Sequence, residues 1–176
     1  MDSSDSSNLQ HLLEMDWVAH ETYTRENVFH VIAKKGWLKM LCAIEGLIDE
    51  KIKLWLQKRN KEGDTCLHIA AVAHRGQQAI RIIEKLVEYG ADFNERDRRT
   101  GDTVLHIAVK KGDCELATWM CQQRNINLEI ENYSKHTAFQ VALKNGDKEM
   151  MKILETYGAT TMGVSDSEEE KESDSE

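Results

Sequence analysis

Proline is absent from the 176-residue chain, so no helix begins on a ring that fixes φ in advance. No apolar run approaches the roughly 20 residues that span a bilayer, and the opening Asp2-Ser3-Ser4-Asp5-Ser6-Ser7 is polar where a signal peptide would be apolar. A soluble protein outside the ordinary secretory route is therefore expected. Cysteine is sparse: Cys42, Cys66, Cys114 and Cys121 show no Cys-x-x-Cys spacing, and three fall at apolar helix positions. Buried free thiols in a reducing compartment are expected, not zinc ligands or disulfides. The chain has no glycine-rich phosphate loop, no Ser/His/Asp or Cys/His set and no His-Glu-x-x-His, so neither catalysis nor a cofactor is expected. His68 and His74, and Cys114 and Cys121, sit two helical turns apart, but a third and fourth ligand at zinc-like intervals are missing. The net charge is -8 and no basic stripe with interleaved aromatics occurs, which argues against direct nucleic-acid binding.

What the chain does contain is a repeated phrase. Thr65-Cys66-Leu67-His68-Ile69-Ala70-Ala71 recurs as Thr103-Val104-Leu105-His106-Ile107-Ala108-Val109, with weaker copies at 27–33 and 137–143. The intervals from His30 to His68, to His106 and to Gln140 are 38, 38 and 34 residues, a period that means stacked helical units. Thr65 and Thr103 are N-cap residues whose hydroxyls can accept from an orphaned helix amide, and the histidine three places on can return a bond as in a capping box. These histidines are accordingly read as structural.

Each phrase is followed by a glycine, Gly36, Gly76, Gly112 or Gly146, placed to close the first helix in the left-handed region. A second apolar stripe follows each: Leu38-Met40-Leu41-Ile44, Ile82-Ile83-Leu86-Val87, Leu116-Ala117-Trp119-Met120 and Met150-Met151-Ile153-Leu154. Gly90-Ala91 and Gly158-Ala159 end two of the units, and Asn125 is expected to take the glycine's place in a third.

The phrase resembles the Thr-Pro-Leu-His-x-Ala-Ala signature of ankyrin repeats, departing from it at the proline, where Val28, Cys66, Val104 and Ala138 stand instead. Helix nucleation should be modestly weakened and packing unaffected. The expected fold is all-α, an ankyrin-repeat solenoid of about four helix-turn-helix repeats with an N-terminal capping helix and a disordered acidic C-terminal tail. The expected boundaries are 1–7 disordered, 8–23 a capping helix, repeats at about 24–60, 61–98, 99–132 and 133–160, and 161–176 the tail. The capping helix rests on Ser7-Asn8-Leu9-Gln10 with Leu9, Leu12, Leu13 and Trp17 at helical intervals. The first repeat's long second half, 46–56, reads equally as one extended helix or as a helix broken at Gly46.

Ankyrin arrays act as binding surfaces, with fingers and first helices lining a groove. Candidate finger-tip contacts here are Arg59, Lys61, Arg96, Arg98, Arg99, Glu131 and Tyr133. Trp37 and Trp119 are expected to face the core. Met150, Met151 and Leu154 are left uncovered if nothing caps the last repeat, so the chain is expected to be a monomer or a weak homodimer.

The residues 63–74 and the enlarged finger 96–103 resemble the inhibitor-of-kappaB branch of ankyrin proteins, and the short repeat count resembles the viral members carried by polydnaviruses, the vankyrins. That resemblance implies binding to Rel-homology transcription factors of an insect host and masking of their nuclear-localisation and DNA-binding surfaces. It also implies suppression of immune genes from the host cytoplasm, with the nucleus as a second location. The family's degradation switch, Asp-Ser-Gly-x-x-Ser with nearby lysines, is not matched: Asp2-Ser3-Ser4-Asp5-Ser6-Ser7 lacks the glycine and the first lysine is Lys34. A constitutive inhibitor is the consequence. Asp166, Glu168, Glu169, Glu170, Glu172, Asp174 and Glu176 form an acidic run that could mimic phosphate on a partner's basic surface or serve solubility alone. Serines 165, 167, 173 and 175 lie within it as candidate phosphorylation sites. The alternative from another class is a generic cytoplasmic adaptor.

Overall fold

A computed structural model describes residues 23–47 and 50–160. The expected capping helix, apart from Tyr23, and the acidic tail lie outside the described residues. Within them the chain alternates short first helices and second helices in pairs: α1 (Val28–Lys35) with α2 (Leu38–Ala43), α4 (Cys66–Ala73) with α5 (Gly76–Glu88), α6 (Val104–Lys110) with α7 (Cys114–Cys121), and α8 (Ala138–Lys144) with α9 (Lys148–Thr156). In the first repeat the second helix is broken. A 3-10 turn, Glu45–Leu47, and a further helix α3 (Glu50–Leu56) follow α2, and Gly46 sits at the interruption, where glycine costs a helix about 1 kcal/mol relative to alanine.

First helices stack on first helices (α1 on α4, α4 on α6, α6 on α8), and second on second (α2 on α5, α5 on α7, α7 on α9). One continuous core results. Phe29, Ile32, Leu67, Leu105 and Phe139 enter it from the first layer, and Leu41, Ile82, Ile83, Leu86, Leu116, Met120, Met150 and Leu154 from the second. Each such side chain contributes roughly 1.5–3 kcal/mol on burial. Ala33, Ala70, Ala108 and Ala142 are also buried, and their small size lets the first helices approach closely.

The capping boxes form in all four repeats, with Asn27/His30, Thr65/His68, Thr103/His106 and Thr137/Gln140 as the reciprocal pairs. The second histidine nitrogen does something further. Nδ1 of His68 accepts from the Thr65 amide at 3.3 Å, and Nε2 donates to the Asp102 carbonyl of the following repeat at 3.0 Å. His30 reaches the Asp64 carbonyl at 3.2 Å and His106 the His136 carbonyl at 3.0 Å in the same way. A second ladder runs at the other end of the first helices: His74 Nε2 bonds the Ala33 carbonyl at 2.8 Å, and Lys111 Nζ donates to the carbonyls of Ala71, Val72 and His74 at 2.5, 3.0 and 2.6 Å. Those carbonyls are the ones a helix C-terminus leaves without partners.

Several expectations are corrected. Gly76 does not close a first helix; α4 stops at Ala73, His74 is extended, and Gly76 opens α5 at φ 51. The two intervening residues, His74 and Arg75, displace it, and its amide donates to Asp113 Oδ2 of the next repeat at 2.9 Å. Asn125 is not left-handed. Its carbonyl instead accepts from Asn94 Nδ2 at 2.7 Å, and Asn94 Oδ1 accepts the Asn127 amide at 3.0 Å, so the turn is held by a side chain and needs no special backbone. Trp37 is 48% exposed because it is the N-cap of α2 and precedes the helix's buried stripe; Trp119 packs partly buried as expected. Cys66 and Cys121 are buried, Cys114 is half-buried and Cys42 exposed, fewer sheltered thiols than the sequence predicts. Burial pushes the Cys66 and Cys121 thiols up to about 12 and about 11. Met150 and Leu154 are fully buried and Met151 is half-buried, since α9 lies against both α7 and α8. The ground for pairing through the terminal repeat is removed.

Burial holds the imidazoles of His30, His68 and His106 below the ordinary histidine value, against the opposing pull of the carbonyls they bond. They stay neutral in the fold while the unfolded chain takes up protons below about pH 6.5. Their contribution is therefore complete above that pH and is lost as pH falls toward the depressed folded value. Thermal unfolding should show Tm declining from pH 7 toward pH 5. H68Q, which copies Gln140 and so preserves the box, should flatten that decline and lower stability at pH 7 by about 0.5–1.5 kcal/mol, through loss of one of the two bonds to the Asp102 carbonyl, the Asp97 amide remaining.

Candidate protein-binding surface: the finger groove

The helices α4, α6 and α8 are each preceded by a hairpin finger whose geometry is set by one buried Asn or Asp. Asn60 Oδ1 accepts the Asp64 amide at 2.9 Å. Asp97 Oδ1 accepts the amides of Arg99 and Thr100, both at 2.6 Å, and Asn132 Oδ1 accepts those of Ser134 and His136 at 3.0 and 3.2 Å. These side chains stand in for backbone turn bonds. Backbone bonds then close the fingers: Asn60 to Asp64, Asp97 to Asp102 and Asn132 to His136, at 2.9, 2.8 and 2.9 Å. The middle finger is one residue longer, as the sequence 96–103 suggests.

Neighbouring fingers are joined in register. The Arg98 amide donates to the Gly63 carbonyl at 3.3 Å and the Tyr133 amide to the Thr100 carbonyl at 2.9 Å. Glycine is required at these contacts: a Cβ on Gly63 would lie 2.4 Å from Arg98 Cβ, and one on Gly101 would lie 2.6 Å from the Tyr133 ring and 2.7 Å from its amide nitrogen.

The structure divides the predicted tip residues. Arg59 donates to the Gly63 carbonyl at 3.1 Å and also engages the Arg96 carbonyl and Glu95. Arg96 repeats the arrangement one finger on, donating to the Glu131 carbonyl at 2.8 Å with its guanidinium 5.1 Å from the Tyr133 ring centroid. Both arginines hold fingers together. Glu131 pairs with Lys135 at 3.6 Å. Lys61 lies 4.4 Å over the Tyr23 ring. Arg98 and Arg99 are exposed, and Tyr133 is 54% exposed.

Between the fingers and the first helices runs a groove of about 600 Å³, lined by Glu26, Glu62, Asp64, Asp97 and Asp102, by Ile69, Val72 and Ile107, and by Lys34, Arg99 and Lys110 among others. The sequence reading missed its floor. Val72 is 62% exposed although it follows the buried Ala70-Ala71 within one helix; a helix that is apolar all round gives no periodic signal for which apolar residue faces out. The carboxylates differ in state. Burial works against ionised Asp97 and Asp102, but bonds from Thr100 and from neighbouring amides in the first case, and from Lys110, Thr100 and Asn132 in the second, hold both below the usual carboxylate range. Asp64 is less well compensated: burial raises its carboxyl, with His68 and Arg99 opposing and Asp97 and Glu62 reinforcing the rise. The groove therefore offers a cationic ligand a carboxylate that its surroundings stabilise poorly, beside an apolar floor. Among the described residues no cluster of His, Cys, Asp and Glu is arranged to hold a metal ion, and no helix is long and apolar enough to cross a membrane.

G101A should cost about 1–3 kcal/mol, from a strained backbone and displacement of Tyr133, measured by chemical denaturation. G146A, with open space around its Cβ, is the control for backbone strain alone and should cost less.

Residues 72–162 match the ankyrin-repeat family described as three copies. The chain is 59% identical to I-kappa-B like protein N2 of Microplitis demolitor bracovirus (isolate Webb), covering 99% of this chain and 100% of the relative. It is 55% identical to I-Kappa-B like protein N3 of the same virus, over 89% and 96% of the two chains, and 70% identical to I-Kappa-B like protein J1 over 61% and 84%. Stacked helix pairs, histidine-linked capping boxes and hairpin fingers in this chain are the ankyrin architecture in full, and with relatives aligned end to end the chain belongs to the family of bracovirus I-kappa-B-like ankyrin-repeat proteins.

Proposed function

We propose that the protein is a non-catalytic inhibitor that sequesters Rel-homology transcription factors of the insect host and so silences immune genes. The observation that carries this reading is the groove: around Ile69, Val72 and Ile107 its lining sets five carboxylates against Lys34, Arg99 and Lys110, with Glu26 and Asp102 paired to Lys34 and Lys110, and the acidic excess, Glu62 and Asp64 foremost, complements a segment that is basic with an apolar anchor, which is the chemistry of a nuclear-localisation sequence. The I-kappa-B-like names of the relatives support the class of partner. Occupancy does the work, since covering that segment withholds it from the import machinery. The host cytoplasm is the proposed site of action, with the nucleus as a second location. The N-terminal serine cluster departs from the family's phosphorylation motif at its glycine, so the inhibitor is proposed to be constitutive.

Binding of an insect Rel-homology domain, nuclear-localisation segment included, to the full chain tests this by calorimetry. V72D should weaken binding at least tenfold, as loss of a central contact does. D64N should weaken it less and reduce its salt dependence. Affinity should fall on acidification as the raised Asp64 carboxyl protonates. No binding at micromolar concentrations, or binding indifferent to Val72 and Asp64, would overturn the proposal and favour an adaptor for another protein. Abundance in immune-stimulated insect cells should hold steady; rapid signal-dependent loss would refute constitutive action.

A further inference from the structure

The groove changes the sign of its charge between its first two fingers. Glu62 and Asp64 on the first and Arg99 on the second all line it, and Arg98 stands exposed beside Arg99. The two fingers touch there: the Arg98 amide donates at 3.3 Å to the carbonyl of Gly63, the residue between Glu62 and Asp64. Among the described residues no ion pair joins Glu62 or Asp64 to Arg98 or Arg99, and the hydrogen bonds of the two arginines are made by their backbone amides. The other charges nearby are engaged. Lys34 and Lys110 pair with Glu26 and Asp102, Lys61 lies over the Tyr23 ring, and Arg59 holds Glu95. Asp97 is buried and accepts from the Thr100 hydroxyl and from the amides of Arg99, Thr100 and Asp102. What is left without an ion-pair partner is an acidic pair and a basic pair on neighbouring fingers.

We propose that the groove takes a peptide segment of mixed charge, with a basic residue over Glu62 and Asp64, an acidic residue over Arg98 and Arg99, and an apolar side chain between them on the floor of Ile69 and Val72. Neighbouring fingers, spaced like packed helices, lie about 10 Å apart, and an extended chain advances about 3.3 Å per residue, so the two charges fall about three residues apart. Uniformly charged ligands lose half of the contact. A polycation meets Arg98 and Arg99 at one end, and a polyanion such as a nucleic acid meets Glu62 and Asp64 at the other, and like charges brought together oppose binding. Arg98 and Arg99 are thereby specificity-determining residues: among basic segments they select those with an acidic residue at that interval. The inference rests on the groove being a peptide site, as proposed above, and not on the partner being a Rel protein.

A double-mutant cycle on the full chain tests this by fluorescence anisotropy at low salt. The labelled probe is a short peptide with a lysine pair and a glutamate pair about three residues apart around a leucine, made in both chain directions, and its control has glutamine in place of the glutamates. In one direction the glutamates should tighten binding to the native chain about threefold to tenfold, as two exposed ion pairs allow. R98Q/R99Q should abolish that gain, and the cycle cancels any effect of the substitutions on the basic half of the contact. Glutamine keeps the Cβ and Cγ that lie against Gly63 at Arg98, and R98K/R99K, which keeps the charge, should keep the gain. Absence of peptide binding, no gain from glutamate in either direction, a gain that survives R98Q/R99Q, or tighter binding of a single-stranded oligonucleotide would each overturn the inference. Should the glutamate gain appear and respond to R98Q/R99Q while a Rel-homology domain fails to bind, the charge selection stands and the Rel assignment falls.

Discussion

The capping-box histidine, bonded at both ring nitrogens, is the constraint on which the rest of the structure depends. Nδ1 closes the box that starts a first helix, and Nε2 donates to the carbonyl just before the next repeat's cap. Local helix initiation and repeat-to-repeat registration are thereby one event. A helix of seven or eight residues is unstable alone, and in a chain without proline at the helix starts the box carries the burden of fixing where each helix begins. Because a neutral imidazole is needed to accept at one nitrogen and donate at the other, the same arrangement couples the stack to pH.

The fingers inherit their positions from this ladder. Asp64, Asp102 and His136, the residues whose carbonyls receive the histidines, are also the residues that close the hairpins. A buried Asn or Asp then shapes each finger, two glycines allow the fingers to touch, and Arg59 and Arg96 tie each to its successor. Binding capacity follows from what is left over. Arginines that look like contact residues are used internally, and the groove behind them gathers carboxylates whose charge is satisfied unequally, with Asp64 least compensated.

Much of the fold was legible in the chain. The threonine caps and the second apolar stripes identify helix pairs, because each depends on residues within one or two turns of each other, and the 38-residue spacing of His30, His68 and His106 shows that the pair repeats. The misreadings share a cause. Repeat analogy assigns Asn125 and Gly76, and nearness to Gly36 assigns Trp37, while each is decided by a contact from another repeat or by where a helix boundary falls. For the site, the finger tips were found and their roles were not: nothing near Arg59 in sequence shows that the Arg96 carbonyl will be its partner.

The sequence by itself determined a stack of about four helix pairs, the positions of their caps and fingers, and the absence of any patterned catalytic set. These are consequences of short-range spacing, which a linear chain displays openly. Only the tertiary structure decided that each histidine bridges two repeats, that Val72 faces outward while Ala70 and Ala71 do not, that Met150 and Leu154 are covered, and that Asp64 remains poorly compensated in the groove. Those outcomes depend on groups 30 to 40 residues away, brought within hydrogen-bonding or van der Waals distance by packing, and on burial, which is a property of the assembled stack.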